Sequence, residues 1–393
     1  EQIHIRNIDG FDNGDFITVT EARVEISLLP LLSGTFHLEE ISADQAEISL
    51  IEKKDGSYNW SFDDITETKE MKTEDQTNAL KKQRKVKKFS LGTFNLTDVS
   101  ILYKDESRNQ IIKKHFERLL IDVTNPEKPN AEVSGSVQDL PYSIDFESDP
   151  IQSFASGQSW LLHGTGKIAG SKTNIEANLQ LIDREIIGNI HTNATNVNLG
   201  LLLEKLGIID GQDAVAEEIN ISTKLQGSDY TELYEQAETN LQLSRGHWKF
   251  SSSEPKQKKE LSFDKITSFV SWNKPVELQL DGKIGGESIH IDFKTNRLLE
   301  FFDEVQKLDV DLRSSFAGID AGLKGTLDLP IKTQQLQLDL SLKGKDLEKL
   351  NPMLDAELPP FNNFSLTGTL LANKKGFILK STDASIGDSH FQT

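Results

Sequence analysis

From Leu336 to Leu342 every second residue is leucine, with Gln337, Asp339 and Ser341 between. Successive side chains of a β-strand point to opposite faces, so such a run has one apolar and one polar side. The period recurs along the chain. Val24, Ile26 and Leu28 alternate with Arg23, Glu25 and Ser27; Ala46, Ile48 and Leu50 follow. Later come Tyr142, Ile144 and Phe146, then Ile175, Ala177, Leu179 and Leu181, then Ile219 and Ile221. Val276, Leu278 and Leu280, and Ile289, Ile291 and Phe293, continue it. Strands with one wet face are an antiparallel habit. Helical patterns are few and short: Asn196 to Ile208, TELYEQAE from Thr231 behind the capping residues Ser228 and Asp229, NRLLEFFDEVQKL from Asn296, and KDLEKLNPML from Lys345. The pattern predicts a mostly β chain, an elongated antiparallel sheet with a few short helices.

Composition narrows this further. Only 36% of the 393 residues are apolar and the mean hydropathy is −0.43, which suits a thin structure with much surface per residue. A net charge of −19 argues against a nucleic-acid binder, which needs clustered Lys and Arg, and against broad adhesion to an anionic membrane. The absence of cysteine removes disulfides, thiolate metal sites and cysteine nucleophiles, and suits an oxidising compartment such as the periplasm. Glu1 is not a natural start and the last residues, SHFQT, break off inside a strand pattern. The chain is therefore expected to be a piece of a longer protein, with any membrane anchor outside it.

Three regions are predicted: residues 1–62 as an N-terminal β unit, 63–88 as a charged insertion, and 89–393 as a repeated β region. The insertion runs from an acidic half into Lys81, Lys82, Arg84, Lys85, Lys87 and Lys88, with almost no apolar content to offset the entropy of ordering. Its basic half is a candidate contact for lipid headgroups or an acidic partner. A loose repeat follows. HGTGKIAG from His163 leads into NIEANLQL and a short helical run, and GLKGTLDL from Gly322 leads into QLQLDLSL and another.

Motifs for chemistry are missing. The eight histidines form no i, i+4 pair, GTGKIAG lacks dinucleotide spacing, and there is neither a nucleophile elbow nor a Walker loop. No catalytic residue, metal or cofactor is expected, and the chain reads as a non-enzyme. What remains is the apolar side of the strands, which must be covered. Either two sheets close on each other, or one curved sheet keeps an open apolar trough that implies a partner. An acyl chain fits the trough: at about 0.8 kcal/mol per buried CH₂, a lipid chain gains on the order of 10 kcal/mol without directional contacts. Candidate lining residues are Val24, Ile26, Leu28, Ile48, Leu50, Leu179, Leu181, Leu278, Leu280, Ile291, Leu336, Leu338 and Leu340.

The most specific motif is KKDGSYNW, ending at Trp60. Asp55-Gly56 signals a tight turn. Trp60 is then expected to fold back over the end of the sheet, with Asn59 on the turn backbone, as a structural plug. With IHIRNIDGF, VTEARVEISLLPLLSG and FHLEEISADQAEISLIEKKDGSYNW in order, the stretch Ile3 to Phe62 resembles the N-terminal region of the bacterial AsmA family. LSLKGKDLEKLNPML, LPPFNNFSLTGTL and the SIGDS at Ser385 are similar to that family's far end. The resemblance implies a repeating β-groove protein related to the TamB and chorein-type bridges. It would be tethered to the inner membrane by a helix outside this chain and lie in the periplasm of the bacterial cell envelope. Phospholipid transport and outer-membrane homeostasis are the implied roles. The alternative is a scaffold or regulator of outer-membrane protein assembly and targeting that carries no lipid. A secreted β adhesin or glycan binder ranks third, because only 7% of the residues are aromatic and many are Phe on strands.

Overall fold

In a computed structural model, residues 3–8, 10–11, 14–27, 35–60, 88–106, 110–137, 139–205, 212–251, 258–297, 307–328, 336–351, 357–373 and 376–392 are described. They form 21 strands, three short helices and a 3₁₀ turn. Two compact units divide them: Glu1–Ile151 with Gly164–Ile168, and Gln152–His163 with Ala169–Thr393. Strand dominance, antiparallel pairing and the scarcity of helix agree with the alternating sequence. The insertion at 63–88, and within it Lys81, Lys82, Arg84, Lys85 and Lys87, lies outside the described residues apart from Lys88, as do Leu28 and most of the helical pattern expected from Asn296.

The first unit pairs β1 (Ile3–Arg6), β2 (Asp15–Ser27), β3 (Thr35–Glu52), β4 (Lys88–Asp105), β5 (Gln110–Asp122), β6 (Asn130–Val137) and β7 (Leu140–Ser148) in chain order. Every pair is antiparallel except β3 with β4, which run parallel from Thr35↔Lys88 to Glu52↔Asp105. Parallel neighbours need a crossover of a dozen residues or more. Residues 53–87 supply it, so the charged stretch that breaks the strand pattern is also the connection that lets β4 start again beside the start of β3. β8 (Trp160–Ile168) crosses the division between the units.

The second unit is a ladder of neighbours, each antiparallel to the next. It comprises β9 (Ser171–Ile182), β10 (Glu185–Asn198), β11 (Asp213–Gly227), β12 (Glu238–Ser251), β13 (Lys258–Ser271), β14 (Pro275–Ile284) and β15 (Glu287–Arg297). Then follow β16 (Lys307–Phe316), β17 (Ile319–Asp328), β18 (Leu336–Asp346), β19 (Asn362–Asn373), β20 (Gly376–Ile386) and β21 (Ser389–Gln392). Helix Leu199–Lys205 starts where β10 ends, so only part of the helical pattern from Asn196 is helix. Helix Tyr230–Gln236 is capped as expected: the Asp229 carboxylate accepts from the Glu232 N–H at 2.8 Å. The pattern from Lys345 yields a 3₁₀ turn, Leu347–Leu350, capped by Asp346. The two repeat copies are not equivalent, because the first places an additional strand, β10, ahead of its helix while the second goes from β18 straight into the turn.

Strict alternation fails at one level in each unit. Apolar residues step by three instead of two at Val19/Ala22, Ala43/Ala46, Leu96/Val99 and Phe116/Leu119, and again at Ala194/Val197, Ala216/Ile219, Leu243/Gly246 and Phe263/Ile266. The register skips Thr20, Gln45, Asp98 and Glu117 in the first unit and Asn196, Glu217, Arg245 and Asp264 in the second. Four of these eight, Gln45, Asp98, Asn196 and Arg245, have positive φ. The column ends as a bulge where the next strand lacks the extra residue, between Phe116 and Arg118 and between Phe263 and Lys265. A bulge bends and twists its strand. Stacking it across neighbours bends the sheet while keeping the apolar residues on either side of the step on one face.

Ile319, 2% exposed on that face, and Ile378, 45% exposed on the other, separate the packed side from the wet side. In chemical denaturation Ile319→Ala should cost about 2–5 kcal/mol, whereas Ile378→Ala should stay within about 0.5 kcal/mol.

Candidate functional site: an apolar face and the plug at its end

Cross-strand partners share a face, so the register tells which side chains line up. In the second unit a row runs through Val197, Ala216, Gly246, Phe263, Gly282, Ile289, Phe316, Ile319, Gly344, Phe364 and Ile386 on successive strands. Its large members are mostly buried. They lie over glycines: a Cβ on Gly344 would come within 2.9 Å of the Phe364 ring, and one on Gly246 would strike the Phe263 ring. Leu199 and Leu202 of the first helix pack on Val197, Ala216 and Phe263, and Leu347 and Leu350 of the 3₁₀ turn join Ile319 and Phe364. One rim of the face is thereby closed.

Further along the strands the face opens. Leu280 pairs with Ile291, and Leu278 with Phe293. Leu323 pairs with Leu340, and Leu338 stands opposite Gly325. Leu179 faces Gly188 and Leu181 faces Ile186. Leu336 pairs with Ala372. Leu179, Leu181, Leu278, Leu280, Ile291, Leu338 and Leu340 thus share one face, and the Leu336 side chain lies outside the described ones. They are not equivalent, since Leu280 and Leu338 are buried while Leu179, Leu181, Leu278, Ile291 and Leu340 are half-buried. Among the described residues no second sheet is layered on them. Their partial burial comes from neighbours on a bent sheet.

The first unit repeats the arrangement. Ile48 stands between Ile17 and Ile101, Leu50 beside Tyr103, Val24 opposite Ile41 and Ile26 opposite Leu38. Val19, Ala46 and Val99 form its packed centre. Val24 and Ile26, at 56% and 41% exposure, are its open part.

The DGSYNW stretch closes the end of this unit's sheet. Gly56 has φ +79°, and Asp55 accepts from the Ser57 N–H and hydroxyl at 3.0 and 2.6 Å. Those bonds, the hydroxyl first, hold the Asp55 carboxyl below its usual range. The chain reverses and Tyr58 bridges back to Glu52. Pairing of β2 with β3 stops at Ile17↔Ile48, and Asn59 continues it: its N–H donates to the Ile51 carbonyl at 3.1 Å, and its Oδ1 accepts from the Ile51 N–H at 2.8 Å. Its Nδ2 donates to the Ser49 carbonyl at 2.6 Å and to Asn7 Oδ1 at 2.7 Å. The sequence predicted a bond to the turn backbone; the partner is instead the strand edge, which needs an N–H and a carbonyl satisfied where β2 runs out. Trp60 stacks on Tyr58 at 5.1 Å and tilts against Tyr103 at 6.2 Å, beside Leu50. The other tryptophans also lie against rings: Trp160 on Phe154, Trp248 on Phe250, Trp272 on Tyr234.

On the polar face, histidines stand beside carboxylates. His290 Nδ1 is 2.6 Å from Asp281 and Nε2 is 3.1 Å from Asp292, which also accepts from Gln279; Ser315 is its partner on β16. The bond to Asp281 raises its pKa most; burial opposes it, and the bond to Asp292 and the charges of both carboxylates complete the rise. Among the described residues no three His, Cys, Asp or Glu gather as metal ligands, and no helix is long and apolar enough to cross a membrane. The segment GTGKIAG is strand, β8, up to Ile168.

An open, mostly antiparallel sheet with one apolar face, closed along a rim in the second unit and plugged at an end in the first, defines a groove-type β protein. Residues 1–142 match the AsmA family model. The match covers most of the first unit. The likeness of the segment around residues 341–388 rests on its motifs. Neither the curated proteins nor the solved structures gave a match.

Two outcomes are expected. Asn59→Ala strands the Ile51 N–H and the Ser49 carbonyl and should lower stability by about 2–4 kcal/mol, with faster hydrogen exchange at Ile51. His290 has a raised folded pKa, so its pairing stabilises below the unfolded value of about 6.5 and is lost as pH rises through the folded value. The melting-temperature gap between wild type and His290→Gln should therefore be larger at pH near 6 than near 8.5.

Proposed function

We propose that the chain shields lipid acyl chains along its apolar face and carries phospholipid in the bacterial cell envelope, as a non-enzymatic protein tethered to the inner membrane and lying in the periplasm. The observation that carries this reading is the apolar face itself. It continues in register from β9 to β20, one rim is closed, and no layer covers the rest among the described residues. A face of that extent on an otherwise polar, acidic chain needs a cover. A lipid chain supplies one without a fixed register, because apolar contacts are non-directional. The match of residues 1–142 to the AsmA family model supports the envelope setting.

Mass spectrometry of organic extracts from protein purified out of bacterial cells, against a mock purification, tests this. Phospholipid at one or more per chain is expected. Leu340→Asp should reduce retained lipid severalfold while the fold survives, because Leu340 is half-buried on the open part of the face. Leu338, 5% exposed, is the contrasting site, and Leu338→Asp should impair folding itself. A folded wild-type chain free of lipid would overturn the proposal.

A further inference from the structure

The opposite, polar face of the second unit has a local peculiarity. Asparagine is depleted in strands, yet β9 to β12 carry eight: Asn174, Asn178, Asn189, Asn193, Asn196, Asn198, Asn220 and Asn240. Several are in register. Asn193 stands between Asn174 and Asn220; Asn220 pairs with Gln242, Gln242 with Thr267, and Thr267 with Gln279. Six successive strands, β9 to β14, thus present one uncharged amide or hydroxyl each, a row of about 24 Å at the usual strand spacing. Further along the same face the row turns charged, with Asp292 and Arg313.

The row lines a hollow of about 650 Å³. Phe269, an apolar ring on this mostly polar side, lies in it next to Asn240 and Glu277, with Lys274 Nζ 5.7 Å from the ring centroid. Glu176, His191 and Glu277 complete the walls. Asn193 donates to Glu218 and Asn220 at 2.7 and 2.9 Å, which fixes the middle of the ladder. Asn174 and Asn240 make no side-chain hydrogen bond among the described residues. A solvated outer face alone would be served by Thr, Lys or Glu, which do not oppose strand formation as Asn does. Where local preference is set aside at one place, a site is the first explanation to test.

We infer that this hollow is a binding site for a neutral oligosaccharide. Amide side chains both donate and accept, as sugar hydroxyls do. A ring offers its face to the C–H side of a sugar. The two carboxylates accept from hydroxyls and repel phosphate, which disfavours nucleic acid and anionic headgroups. An extended peptide would seek a sheet edge rather than a face. The site is on the side away from the proposed lipid face and does not depend on that function.

The test is titration of the whole chain with two neutral probes, chitohexaose and maltoheptaose, followed by ligand-observed NMR and calorimetry. Saturable binding of at least one is expected. The double variant Asn174→Ala/Asn240→Ala should weaken it at least about fivefold, in the millimolar to micromolar regime, with an unchanged melting temperature. Leu340→Asp, on the other face, should leave it intact. Absence of saturation by either probe up to about 10 mM, or equal binding by the double variant, would overturn the assignment.

Discussion

Keeping one apolar face in phase is the constraint on which the rest depends. A strand that slips by one residue sends its whole apolar set to the wet side. Here the chain inserts an extra residue in four successive strands, at the same level, in each unit. Because the neighbours slip together, pairing is kept and the face is kept. The skipped positions take residues that tolerate or exploit the turn outward. Asn196 and Asp98 suit positive φ. Arg245, also at positive φ, reaches Glu217 at 2.6 Å, one skipped residue holding another. Such an exposed pair contributes little stability. It lies on the line where the register skips.

The bend decides how much of the apolar side is buried without a second layer. On a flat uncovered sheet, leucines would stand well apart in water. Here row neighbours lean together, and glycines leave room for rings where packing is tightest. Short helices and the 3₁₀ turn are spent on one rim only, with Leu199, Leu202, Leu347 and Leu350 as their contribution. This explains a chain so low in apolar content that still folds. It stabilises one closed rim and leaves the remainder of the face half-packed.

Period two made the faces legible before the structure, and the described second-unit lining side chains named from it share one side. The level at which alternation slips was invisible, because a three-residue step within one strand looks like noise until four strands are aligned. The parallel pairing of β3 with β4 was hidden as well. Residues 53–87 read as an interruption, and nothing in their charge says that the next strand will run beside the last in the same direction. Asn59 was recognisable as a motif residue, but its partner was not. The free edge it satisfies exists only because β2 stops opposite Ile48, and where a partner strand stops is a matter of register rather than composition. The asparagine ladder was missed for a related reason. Asn174, Asn193 and Asn220 are far apart in the chain, and only pairing puts them side by side.

The two faces of the second unit therefore ask for different things. The apolar face gains by area, with each methylene covered contributing about 0.8 kcal/mol wherever along the rows it lies. Such a surface favours a ligand that slides. The polar face gains by direction, because amides pair only with groups held at the right distance and angle. Such a surface favours a ligand that stays. A single sheet one residue thick can carry both, since alternation assigns neighbouring residues to opposite sides: Asn220 points one way while Ile219 and Ile221 point the other. Substitutions on one side then need not pass through the other, provided the backbone between them keeps its register.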